Sequence, residues 1–252
     1  MVSVLSQTYA ADEIIIIDDG STDQSAQIIK EFPDIIYMYQ KNSGVSSARN
    51  RGIKYAKNDW VAFLDSDDVW HKDKLKLHVE FHQQNSDTFM SYTDEKWVRN
   101  NKEVKIPKKF QKIGKNAFAE NLSYCNIAPS SVLLHKKLFE WCGVFDENLA
   151  VCEDYDLWLR ITCKEKVGLI KNKLITKYAG HEDQLSFKYW GMDRFRVQSL
   201  EKFLDTEYED LVLETLIEKY NLLLKGAIKY DKMADIKIYE SKLEFLRLKG
   251  RG

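Results

Sequence analysis

No stretch of the chain approaches the ~18 consecutive apolar residues of a membrane-spanning helix, and the N-terminus lacks the charged-then-apolar pattern of a signal peptide. Basic charge is not in excess either. Lys plus Arg (38) nearly cancels Asp plus Glu (39), leaving a net charge of −1. That balance argues against a general nucleic-acid binder, whose affinity rests on clustered cations. The four cysteines (Cys125, Cys142, Cys152, Cys163) form no CxxC pair, so they read as reduced thiols rather than a metal or redox centre. Internal repeats and low-complexity tracts are absent as well. What these absences leave is a soluble, cytoplasmic globular protein, with peripheral contact at the inner face of a membrane still open.

Of the 252 residues, 44% are hydrophobic, enough for one large α/β domain with an appendage. The run EIIIIDD (13–19) is an unbroken apolar segment ending in acids, as suits a strand buried on both faces. A turn and helix follow, with Ser21 and Gln24 spaced as a capping box. A second strand (35–40), a helix opening at Asn42-Ser43-Gly44, and a third strand (60–65) complete a strand–helix alternation typical of an α/β sheet. Further along, the spacing predicts a helix after Trp70, a strand over 89–98 and a loop over about 100–112. A short strand with a helix (128–143), a helix over 153–165, strands over 167–180 and helices from about 189 to the end complete the reading. The apolar stripe of residues 211–224 reads as a helical region packed on the first domain, with a dimer surface or a membrane-surface contact as alternatives.

Two predicted strands end in carboxylates: Asp18-Asp19, and Asp65-Ser66-Asp67-Asp68. Ligands of open α/β sheets bind at such strand ends. Clustered carboxylates suit a hard divalent cation that bridges substrate phosphates; a solvated, helix-capping turn explains the same spacing about as well. The segment 42–52 offers helix N-terminal amides and Arg49 to an anion, or is an ordinary capped helix with surface arginines. His78 and His82 lie four apart, but the intervening glutamate is misplaced for a zinc motif, so they read as one helix face. Trp70, Trp97, Trp141, Trp158 and Trp190 read chiefly as packing.

Taken together, IIIIDDGSTDQS, NSGVSSARNRGI, FLDSDDVW, EDYDLWLR and GHEDQLS, in this order, resemble family 2 glycosyltransferases of the GT-A fold, over roughly residues 3–190. The resemblance implies a mixed, Rossmann-like sheet flanked by helices (1–188) with a C-terminal helical appendage (189–252). It implies metal-dependent, inverting transfer from a nucleotide-diphosphate sugar, a UDP-sugar by preference, to a glycan or lipid-linked acceptor in bacterial surface polysaccharide synthesis. Asp154 would be the general base and Asp19 would contact base or ribose. Arg49 would lie near the diphosphate, Asp65 at the ribose or metal, and Asp67 with His181 at a Mg²⁺ or Mn²⁺ ion. Without the resemblance, Glu153-Asp154 reads as helix capping and His181 as a surface loop residue. Ser3–Tyr9 matches the end of the family's first helix, so the family's first strand and its nucleotide loop have no counterpart, and the expectation is unpaired edges on the strands that flank it. A second reading stays open: a degenerate domain that binds nucleotide sugar or glycan, or scaffolds a partner. A nucleotidyltransferase is disfavoured because its Gly-rich basic N-terminal loop is absent.

Overall fold

The structure, a computed structural model, describes residues 1–179 and 189–250. After a short helix α1 (Val2–Leu5) the chain alternates β1 (Ile15–Asp19), α2 (Ser25–Ile29), β2 (Ile36–Gln40), α3 (Val45–Tyr55), β3 (Trp60–Ala62), β4 (Asp68–Trp70) and α4 (Lys74–Gln84). Next come β5 (Met90–Arg99), β6 (Lys102–Val104), α5 (Ala117–Leu122), β7 (Val132–His135), α6 (Lys137–Cys142), α7 (Glu153–Thr162) and β8 (Val167–Ala179). Three helices close the chain: α8 (Asp193–Glu201), α9 (Glu209–Lys229) and α10 (Met233–Lys249).

The strands form two sheets among the described residues. β1 and β2 pair in parallel with each other alone, while the larger sheet runs β3-β7-β5-β8-β4, with β6 added to β5. β5 and β8 are parallel, and the other pairs of this sheet are antiparallel. Among the described residues β1 has a partner on one side only, and β3 ends the larger sheet. The four isoleucines 14–17, which read as a doubly buried strand, are accordingly only half-buried.

Three local expectations are corrected. The third strand stops at Ala62 instead of Asp65, because the Asp65 amide donates to the Ser130 hydroxyl at 3.0 Å instead of to a neighbouring strand. No capping box forms at Ser21: its amide donates to the Asp18 carboxylate at 2.7 Å, and α2 starts four residues later. The loop expected over 100–112 begins as a hairpin, since Asn100 (φ 50°) and Asn101 (φ 58°) take the left-handed conformation of a tight turn and send β6 back along β5.

Helix α7 is the centre of the molecule. Leu157, Trp158 and Ile161 are fully buried against Met90, Tyr92, Val132 and Leu134 of the larger sheet and against α6. Tyr155 and Leu159, also fully buried, face a second core built from Phe118 and Leu122 of α5 with Leu200, Val212, Leu216, Leu243 and Leu246 of the last three helices. The C-terminal helices therefore share a core with α5 and α7. Burying both faces of one helix fixes its axis, and with it the position of its N-terminal acids.

Candidate active site

The acid-rich turn lies between two short strands. β3 leaves the sheet at Ala62, and residues 65–68 turn so that the Asp68 amide donates to the Asp65 carbonyl at 3.1 Å. β4 then returns alongside β8. Ser130, wholly buried, pins both ends of this turn: its hydroxyl accepts from the Asp65 amide, and its carbonyl accepts from the Trp70 indole at 2.9 Å.

Opposite stands the N-terminus of α7. Cys152 precedes it in the left-handed conformation (φ 64°, ψ 22°), an unfavourable state for a non-glycine residue that the surrounding packing sustains. The turn it makes sets Glu153 and Asp154 in the first turn of the helix, where the dipole favours negative charge. The Asp154 Oδ1 accepts its neighbour Tyr155's amide at 2.7 Å, and Oδ2 lies 3.5 Å from the Cys125 thiol.

Arg49 joins the two. From the first half of α3 its guanidinium donates to Asp65 Oδ1 and to Glu153 Oε1, each at 2.6 Å, with its side chain only 10% exposed and lying over the Phe145 ring. Burial disfavours the charged guanidinium, but Asp65 and Glu153 outweigh it and hold the pKa above its usual value. The carboxyl of Glu153 is pushed up to about 7 by burial and by Asp154, against the pull of Arg49. Arg49 thus belongs to the framework that brings the two acidic segments together, a role the sequence reading, which set it by the diphosphate, did not foresee.

The other expected residues are placed as follows. Asp19 sits at the end of β1; its Oδ1 accepts from the Gln40 amide side chain and the Ser43 backbone, and its Oδ2 from the Gly44 backbone, all at 2.8 Å. It therefore fastens the start of α3. Its neighbour Asp18 is buried; burial would raise its pKa, but hydrogen bonds from the Tyr37 hydroxyl (2.6 Å) and Ser21 hold it below the usual range. Asp65 keeps a third of its side chain exposed and Asp67 is exposed, both at the mouth of the turn. His181 lies outside the described residues.

One residue of the site was missed. Lys177 on β8 stands opposite Asp68 across the antiparallel pair and beside Trp97 across the parallel pair, so it shares a face with both. Burial works against its charge, yet Glu95, Asp68, Asp65 and Asp154 around it raise its pKa above the usual value. Asp68 itself is pushed up to about 7, chiefly by burial and despite Lys177. In the apolar run of residues 174–179 a single lysine carried no signal beyond a solvent-facing strand position.

For a divalent cation the donor chemistry fits. Asp65 and Asp67 offer hard carboxylate oxygens at an open turn, which suits an ion that keeps waters and takes further oxygens from substrate phosphates. Among the described residues no three His, Cys, Asp or Glu side chains converge to form an all-protein cage.

The sequence model described as "Glycosyl transferase family 2" matches residues 1–140. The chain is 35% identical over 189 residues to the Escherichia coli UDP-Glc:alpha-D-GlcNAc-diphosphoundecaprenol beta-1,3-glucosyltransferase WfaP, covering 73% of this chain and 72% of that one. It is 37% identical over 175 residues to an uncharacterized glycosyltransferase of Rickettsia felis, covering 68% of this chain and 29% of that one. The chain thus spans less than a third of the length of that longer relative. The fold matches S. aureus TarS 1–349, solved in complex with UDP-GlcNAc, with a TM-score of 0.69 at 19% identity, covering 87% of this chain and 66% of that one. That likeness establishes the GT-A architecture, a mixed sheet flanked by helices.

Proposed function

The chain belongs to glycosyl transferase family 2, and from that premise we propose that it moves a sugar, with inversion, from a UDP-sugar to a hydroxyl of a lipid-linked glycan acceptor. The observation that carries this reading is the Arg49 bridge, which holds the acid-rich turn and the α7 N-terminus at one place. A direct displacement needs just such a pair of opposed functions: a base for the incoming hydroxyl and charge compensation for the outgoing diphosphate.

Asp154 is the base. It stands in the first turn of α7, and its carboxylate is oriented from both oxygens. It takes the proton from the acceptor hydroxyl as that oxygen bonds to the anomeric carbon. The bond from that carbon to the diphosphate oxygen breaks, and its electron pair leaves with the nucleoside diphosphate. Asp67 and Asp65 would hold Mg²⁺ or Mn²⁺, which when bound supplies positive charge to the leaving diphosphate. Lys177 adds a fixed cation behind Asp65 and Asp68. The donor nucleotide and the acceptor class follow WfaP, whose name gives a UDP-sugar and a diphosphoundecaprenol-linked sugar, and the UDP-GlcNAc bound to TarS supports the same donor.

A second reading, a domain that binds nucleotide sugar or glycan without turnover, is favoured by one observation: β1 and β2, which carry Asp19, are separate from the larger sheet. Calorimetry with UDP-sugars, with and without Mn²⁺, followed by product analysis, decides between the two. Transfer requires Mn²⁺-dependent binding and product; binding without product selects the second reading, and no binding removes transfer and leaves glycan binding as the only form of the second reading.

A further inference from the structure

A cleft of about 610 Å³ opens between the β5–β6 hairpin and the segment after it, lined by Asp94, Trp97, Glu103, Lys105, Phe110 and Lys112 among others. Its volume falls within the ~300–1,000 Å³ typical of small-ligand pockets. Its floor is rigid. The Trp97 indole donates to Glu95 Oε1 at 2.6 Å, and the other oxygen of that buried carboxylate accepts from Lys112 Nζ, also at 2.6 Å. Both charged partners are under a tenth exposed, so the ion pair is shielded and the indole's orientation is fixed, while the ring itself stays half-buried.

The charges of the cleft indicate the chemistry of its occupant. Lys112 is neutralised by Glu95, and Lys173 lies 3.9 Å from Glu103. Lys105, the third lysine of the lining, is offset by Asp94, so with Glu95 counted the cleft carries as many acids as lysines, and donors and acceptors line an aromatic face. That combination suits a neutral polyol: an apolar ring face to cover and hydroxyls to bond.

The aromatic surface also leads somewhere. Trp97 and Phe110 have ring centroids 5.5 Å apart, and Phe110 and Tyr124 are again 5.5 Å apart. Tyr124 is followed in the chain by Cys125, whose thiol lies 3.5 Å from the Asp154 carboxylate. Across the sheet, Trp97 neighbours Lys177, which stands opposite Asp68. The cleft is therefore connected to the candidate site by a row of three rings on one side and by two adjacent strands on the other.

We propose that this cleft is the saccharide subsite of the acceptor, in which a sugar ring stacks on Trp97 and the row Trp97–Phe110–Tyr124 guides the glycan toward Asp154. That the saccharide belongs to the acceptor rests on the transfer reading above; the saccharide site itself does not.

The test is titration of the 252-residue chain with N-acetylglucosamine, methyl α-glucoside and, separately, inorganic pyrophosphate. Two-dimensional NMR of the indole N–H signals is the readout, with the Trp97 signal assigned by Trp97→Phe, and UDP binding is measured in parallel. A saccharide should shift the Trp97 signal, and pyrophosphate should not. Trp97→Ala and the milder Phe110→Ala should each weaken saccharide binding about tenfold or more with UDP affinity unchanged. The proposal is overturned if no saccharide moves the Trp97 signal, if pyrophosphate moves it instead, or if Phe110→Ala binds saccharide as well as wild type. Should the saccharide shifts appear while UDP fails to bind, the transfer reading falls and the saccharide site stands.

Discussion

At the scale of single residues, the site depends on buried charges whose partners decide their meaning. Arg49 is only 10% exposed and touches two carboxylates. Replacing it by methionine strands Glu153 in a dry environment, a change that costs roughly 3–5 kcal/mol when one member of a buried pair is removed. Urea denaturation of Arg49→Met is expected to show a loss of that size. A residue that served only to bind the donor diphosphate would leave stability near wild type. Lys74 makes the opposite case. It is completely buried, with Nζ 3.2 Å from the Val132 carbonyl and 4.3 Å from the Trp70 ring centre, and burial pushes its pKa down to about 7. The unfolded chain keeps that proton up to about 10.5, so the folded state is penalised below pH 7 and the penalty is relieved as pH rises from 7 towards 10.5. Thermal unfolding should therefore show wild type gaining on Lys74→Met over this window, with the variant the more stable of the two at pH 7. The acids at positions 65, 67 and 154 were legible as a group because their types and order carry chemistry. Arg49 was legible only as a cation, since a sequence does not say which anion a buried guanidinium meets. Lys177 and Trp97 stand one to a strand, and only the register of β4, β8 and β5 brings them to the same face.

At the scale of elements, strand ends and helix starts were set by side-chain hydrogen bonds more than by propensity. β3 stops where Ser130 captures the Asp65 amide, and α2 starts late because Asp18 captures the Ser21 amide. Such competitors sit far away in sequence or look identical to a capping pattern, so the run lengths misjudged them. The helix α3 was read correctly from its Gly-containing turn, and the structure adds that Asp19 receives the Ser43 and Gly44 amides there. The β1–β2 pair has a different standing from the other strands. Its isoleucines are half-buried, and among the described residues β1 is paired along one edge only, whereas β5 and β8 share a ladder running from Met90 to Arg99 and carry fully buried side chains. Local opening follows such differences in burial. Native-state hydrogen exchange should show the amides of residues 15–19 and 36–40 exchanging well before those of residues 90–93 and 132–134. Equal protection would mean that the two sheets open as one unit.

At the scale of the molecule, two cores meet on α7 and hold its acids against the turn after β3. The α/β alternation and the helical C-terminal region were visible in the hydrophobic pattern, because period and length need no tertiary information. That the larger sheet inserts β7 between β3 and β5, and β8 between β5 and β4, was not visible, because pairing between distant segments leaves no local trace. This arrangement is what places Asp65, Glu153, Asp154 and Lys177 around one point, and the claim that follows is that Asp154 acts on the acceptor while the turn at 65–67 serves the donor. The most direct measurement is UDP-sugar affinity by calorimetry alongside transfer to a GlcNAc-diphospholipid acceptor, for wild type and Asp154→Asn. The expected result is that Asp154→Asn retains wild-type donor affinity within about twofold and loses transfer by ~10²–10⁴-fold, the usual contribution of a general base. Undiminished transfer in Asp154→Asn, or loss of donor binding in step with activity, would contradict it.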